Sequence, residues 1–84
     1  MARAAYWVRM RAVRELARLS QDDLARLSGV HRSMISSYER GQTMPTLYNA
    51  IEIADALHLT VGQLVGVEPL PLNWAKQWED KAHE

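Results

Sequence analysis

Apolar residues at spacings of three and four run through nearly the whole chain, and no stretch alternates apolar with polar residues. That pattern builds helices and leaves no material for a sheet. Met10, Val13, Leu16 and Ala17 predict one apolar face on a helix from about Ala4 to Ala17, whose outer side is basic. Tyr6 and Trp7 read as core or rim aromatics of the same helix. Ser20 can cap a second, short helix that carries Asp22 and Asp23 at its positive end and stops near Ser28-Gly29. Gly29 supplies the left-handed residue that a steep turn into the next helix needs, and Val30 then drops into the core.

A third helix from about Arg32 to Arg40 turns Ile35 and Tyr38 inward and leaves Arg32, Ser33, Ser36, Ser37 and Arg40 on a polar outer face. Gly41 closes it, and the stretch from Gly41 to Pro45 is a loop. Thr46 caps a fourth helix whose Leu47, Ala50, Ile51, Ile53, Ala54 and Leu57 make a broad apolar stripe. Thr60 and Gln63 have the spacing of a capping box at the start of a short fifth helix, with Leu64 and Val65 sealing the core. Pro69 and Pro71 break the pattern. Beyond them Leu72 to Ala82 is able to form a sixth helix, with Trp74 and Trp78 one turn apart.

At 84 residues the chain can build one core but cannot enclose a deep active-site cavity. Cysteine is absent, so neither disulfides nor thiolate-metal sites are available, and a reducing cytoplasm is compatible. No span approaches the roughly 18 apolar residues of a membrane helix, and arginines are scattered through Met1 to Val13 where a signal sequence has an apolar run. A cytoplasmic protein with no membrane partner is expected. Net charge is zero, which by itself argues against a nucleic-acid partner, but the distribution is uneven. Residues 1–20 carry Arg3, Arg9, Arg11, Arg14 and Arg18 against Glu15, a surplus of +4, and residues 46–84 carry a balance of −4. A basic front can meet DNA, and the acidic rear keeps the other side away from it.

His31, His58 and His83 are not paired at helical spacing with another ligand, so no metal and no cofactor are expected. Ser33, Ser36 and Ser37 beside His31 lack a third triad member and a source for an oxyanion hole, so the chain does not read as an enzyme.

A short helix, a glycine turn and a helix with a small polar outer face make a shape that sets one helix in a major groove. LSQDDLARLSGVHRSMISSYERG resembles the helix-turn-helix signature of the Cro/CI-type (XRE) repressor family, and TMPTLYNAIEIADALHLTVGQLV is similar to that family's last two helices. The resemblance spans about residues 8 to 66 and includes Ser20-Gln21, Leu24-Ala25, Gly29-Val30, Ile35-Ser36, Glu39-Arg40-Gly41, Pro45, Ala54, Leu57 and Leu64. It implies an all-α, five-helix, lambda-repressor-like DNA-binding domain over 1–66, followed by a short C-terminal extension over 67–84.

The resemblance further implies a regulator, more a repressor than an activator, that binds double-stranded DNA as a homodimer on a palindromic operator with half-sites about 10 bp apart. His31, Arg32, Ser33, Ser36 and Ser37 would then read bases, and Gln21, Arg40, Gln42 and Thr43 would hold phosphates. Arg32 is the leading reader, because arginine can donate two parallel bonds to guanine. Arg14 and Glu39 occupy positions that pair helix 1 with the reading helix in relatives. Leu72, Trp74 and Trp78 either fold back onto the core or cover a partner, and a dimer or partner-docking surface is the reading placed first. An antitoxin, a restriction-modification controller, or an interaction module without DNA binding remain alternatives.

Three positions depart from the family pattern. Relatives have glycine near 18 and 58, where this chain has Arg18 and His58, so each must turn left-handed or let its helix run on. His31 stands where a serine or threonine cap is usual, which implies a reading helix that starts less firmly.

Overall fold

The structure, a computed structural model, describes residues 2–79, so His83 and the end of the 72–82 segment lie outside the described residues, as does the side chain of Tyr6. Six helices and no strand occur among them: α1 (Ala2–Leu16), α2 (Gln21–Ser28), α3 (Arg32–Glu39), α4 (Leu47–Ala56), α5 (Val61–Val65) and α6 (Lys76–Glu79). Arg18 ends α1 in the left-handed region at φ 61°, and the amides of Arg18 and Leu19 fold back onto the carbonyls of Glu15 and Arg14. His58, also at φ 61°, turns the chain in the same way after α4. Both helices therefore stop where a glycine would stop them, at a steric cost that a side chain with a β-carbon must bear.

Trp7, Met10, Val13 and Ala17 of the first helical segment are buried with Leu24, Val30, Ile35, Tyr38, Ile53, Ala54, Leu57 and Leu64. One core thus draws on all of α1 to α5. The apolar stripes are narrower than their sequences suggest. Leu16 is exposed, because it lies about a third of a turn from Met10 around the helix axis. On α4 the packed face is Ala50, Ile53, Ala54 and Leu57, while Leu47 is 74% exposed and Ile51 41%. The two short helices are fastened at their starts. The Ser20 hydroxyl accepts from the Asp23 amide and the Asp23 carboxylate accepts from the Ser20 amide, each at 3.0 Å. Thr60 and Gln63 repeat that reciprocal arrangement on α5.

The C-terminal extension corrects the expectation placed on its tryptophans. Trp74 is 4% exposed and Trp78 is 3% exposed within the single chain. The Trp74 indole donates to the Leu57 carbonyl at 2.7 Å, satisfying a group left free at the end of α4. Trp78 packs 6.4 Å from Trp74 and 5.1 Å from the His58 ring, centroid to centroid, and His58 Nδ1 lies 2.7 Å from Gln77 Oε1. These rings are occupied by their own core and are not a dimer or docking surface. Of the three residues assigned to that role only Leu72, 92% exposed, remains available. Gly66 makes the closure possible: at φ 90° it ends α5, and a β-carbon there would stand 2.7 Å from the Arg9 side chain.

Candidate nucleic-acid interface

Ile35, Tyr38 and Glu39 anchor α3, and Val30 pins the turn before it. Tyr38 is held twice, by the core and by Asn49, whose amide donates to its hydroxyl at 3.0 Å. With these positions inward, helical geometry presents Arg32 and Ser33 to solvent and leaves Ser36 and Ser37 half-buried one turn on. Gly29 at φ 75° sets the angle between α2 and α3.

His31 caps α3 with its side chain, which its residue type does not suggest. Its Nδ1 accepts from the Ser33 amide at 3.1 Å and lies 2.8 Å from the Ser33 hydroxyl. An imidazole nitrogen here does what a serine or threonine oxygen would do. Accepting from an amide requires a bare Nδ1, so the ring proton of the neutral form resides on Nε2 and faces outward as a donor.

Arg32 rests on Asp22 of α2, with Nε 3.2 Å from Oδ1, and both side chains are well exposed. A pair so open to water is weak. Ser37 and Thr43 share a hydroxyl hydrogen bond of 2.8 Å that ties α3 to the following loop. Arg40 donates to the Ser36 hydroxyl and, at 2.9 Å, to Gln42 Oε1. His31, Arg32, Ser33, Ser36 and Arg40 line one open cleft of about 320 Å³. A second cleft of about 250 Å³ is lined by Arg11, Arg14, Gln21, Ser36, Glu39 and Arg40, so Ser36 and Arg40 border both.

Beneath the second cleft lies a buried ion pair. Arg14 Nε is 2.7 Å from Glu39 Oε2 and Arg14 Nη2 is 3.0 Å from Oε1, while Nη1 donates to the Leu19 carbonyl at 2.7 Å. Gln21 Nε2 adds a third donor to Glu39 at 3.0 Å. The Arg14 and Glu39 side chains are 10% and 2% exposed. The hydrogen bond to Glu39 raises the Arg14 pKa above its already high value against the opposing effect of burial, so this guanidinium stays charged. The arrangement bolts α1, the α1–α2 turn and the end of α3 together, and it draws Gln21 inward as part of the bolt.

The structure thus brings every assigned base-reading and phosphate-holding residue onto adjoining surfaces of α2, α3 and the α3–α4 loop. Two participants escaped the sequence reading. Asp22 registered only as a helix-dipole partner, and nothing in periodicity shows a contact across the turn. Arg11 registered only as part of the basic outer side of α1, although its place three residues before Arg14 puts the two on neighbouring faces. Among the described residues no group of three or more His, Asp or Glu side chains is placed to hold a metal, and no helix is long and apolar enough to cross a membrane.

Comparison with known proteins fits this geometry. A family profile described as Helix-turn-helix matches residues 10–64, well over half of the chain. Control protein C.SmaI of Serratia marcescens is 41% identical over 56 residues, which cover 67% of each chain. The uncharacterized HTH-type transcriptional regulator y4dL of Sinorhizobium fredii is 40% identical over 52 residues, 62% of this chain but 26% of that longer protein. No solved structure matches the chain. With the matched segment running from Met10 in α1 to Leu64 in α5, the chain belongs to the Cro/CI-type (XRE) family of helix-turn-helix, DNA-binding transcriptional regulators.

Proposed function

We propose that this protein is a sequence-specific repressor that binds a palindromic operator as a homodimer, each copy laying α3 in one of two successive major grooves. The observation that carries the reading is the division of α3: Ile35, Tyr38 and Glu39 are buried, while Arg32 and Ser33 are exposed beside a polar cleft. Arg32 reads guanine, with Ser33, Ser36, Ser37 and the outward Nε2 of His31 completing the base contacts. Arg40, Gln42 and Thr43 hold the backbone and set register, and at the start of α2 Gln21 contributes through its backbone amide while its side chain stays on Glu39. The homodimer is supported by the first turns of α4, where Leu47, Tyr48 and Ile51 are all exposed, a grouping suited to cover by a second copy. The role is binding in the cytoplasm, without a cofactor or a catalytic step of its own.

A second reading, a controller protein of a restriction-modification system, is favoured over an antitoxin by the likeness to the Serratia protein named a control protein. It uses the same DNA surface and differs in which promoter is bound. The test is a mobility shift on duplex DNA from upstream of the gene at two salt concentrations, with wild type and Arg32→Ala. Salt-sensitive binding by wild type and a loss of about 1–3 kcal/mol of discrimination in the variant are expected. Unchanged discrimination removes Arg32 from its role. A transcription assay on the bound promoter separates repression from activation.

A further inference from the structure

We infer that the cleft between α1 and the end of α3 is a seat for a DNA backbone phosphate, and that Arg11 is the residue that supplies its free positive charge. This rests on the proposed DNA-binding reading and adds a contact from α1, outside the helix-turn-helix unit. Six residues line the cleft, and all but Arg11 are hydrogen-bonded to another of the six. Arg14 uses Nε and Nη2 on Glu39 and Nη1 on the Leu19 carbonyl, while Glu39 accepts from Arg14 and from Gln21. That group is internally neutral, so it shapes the floor of the cleft without attracting an anion. Ser36 receives a hydrogen bond from Arg40, whose other terminal nitrogen is on Gln42.

Arg11 differs from these. Its only ion pair is with Glu15, one turn along the same helix, at 3.3 Å, with the two side chains 65% and 55% exposed. Such a pair is held weakly and opens readily. Glu15 is not among the residues that line the cleft, whereas Arg11 and Arg40 enter it from different helices. The lining therefore carries three guanidinium groups against one carboxylate, and the two charges with no counter-charge inside the cleft, Arg11 and Arg40, are both positive. A singly charged phosphate diester is attracted by that positive surplus, and an open cleft of about 250 Å³ has room for it with some of its water. Ser36 and Arg40 border the base-reading cleft too, so a phosphate seated here lies alongside the groove into which α3 points.

The test is fluorescence anisotropy of the full chain with two labelled duplexes, one from upstream of the gene and one of unrelated sequence, between about 50 and 200 mM salt. Arg11→Gln is expected to weaken binding to both duplexes by the same factor and to reduce the slope of log affinity against log salt by about 1. Arg11→Lys keeps the charge and should keep the slope. Glu15→Gln frees Arg11 and should tighten binding to both duplexes. Thermal unfolding of the three variants checks that the fold is intact, which the exposure of both side chains favours. If wild type binds and Arg11→Gln keeps the full slope, the phosphate seat is wrong and the DNA-binding reading stands. If wild type binds neither duplex, the DNA-binding reading itself fails. Inorganic phosphate, added at fixed ionic strength, should displace DNA from wild type and Arg11→Gln equally. Displacement from wild type alone would give the cleft to free phosphate and overturn the assignment.

Discussion

Two junctions hold this small protein together, and they work by different physics. Where α1 meets α3, a buried arginine and glutamate share four polar bonds with each other, Gln21 and a backbone carbonyl. Where α4 meets the C-terminal extension, two indole rings cover the core, and the Trp74 indole donates to the Leu57 carbonyl. The first junction is directional: it has one good geometry and loses most of its energy to desolvation. The second is broad, drawing its strength from apolar area. The chain uses both, one to fix the direction of α3 and one to keep a core of this size folded.

Replacing Trp74 with alanine should therefore be the more damaging change, costing about 3–5 kcal/mol in urea unfolding, with the Leu57 carbonyl left unpaired. A cost below about 1 kcal/mol would show that the extension is ornamental. Glu39→Ala leaves Arg14 charged and buried without its partner and should cost about 3 kcal/mol. The double variant Arg14→Met, Glu39→Met should recover most of that loss in the same measurement while DNA affinity stays low, because apolar contacts can fill the space but cannot aim α3. Recovery of both properties would mean that the pair does not orient the helix.

The smallest effect concerns acid. Asp23 is held below the usual carboxylate range, first by the Ser20 amide it accepts from, then by the Ser20 hydroxyl and by Arg26. A lowered folded pKa gives stability that is complete above the ordinary aspartate value and is lost as pH falls through the lowered one. Wild type should thus lose a small part of its stability on acidification in that window, and Asp23→Asn should flatten that part of the curve. An unchanged profile would remove this cap from the acid response.

Much of this architecture was legible because it is local. Ser20, Gly29, Thr60 and Gln63 mark helix boundaries through bonds that span three or four residues, and such spacings are visible in a linear string. Trp74 and Trp78 show where local reading stops. Two tryptophans one turn apart announce a face that will be covered, but whether by the same chain or another depends on where the extension runs after Pro71. Leu47 and Ile51 belong to a good apolar stripe, yet burial depends on how far the neighbouring helices reach. His31 differs from expectation for a chemical reason: residue type alone does not reveal an imidazole nitrogen placed where a hydroxyl oxygen would cap. The pairing of Asp22 with Arg32 crosses the glycine turn, and its existence follows only from the angle between two helices.

That last contact has a consequence for fidelity. An arginine with nothing to lean on would settle on whichever phosphate it met first, and much of its attraction would be spent on DNA of any sequence. Resting against Asp22, it already has an acceptor, and a base pair must offer something better before the side chain leaves. Guanine does so with two acceptors in one plane; the other bases do not. If Arg32 reads bases as proposed, discrimination begins as a contest inside the protein, ahead of any contact with the groove.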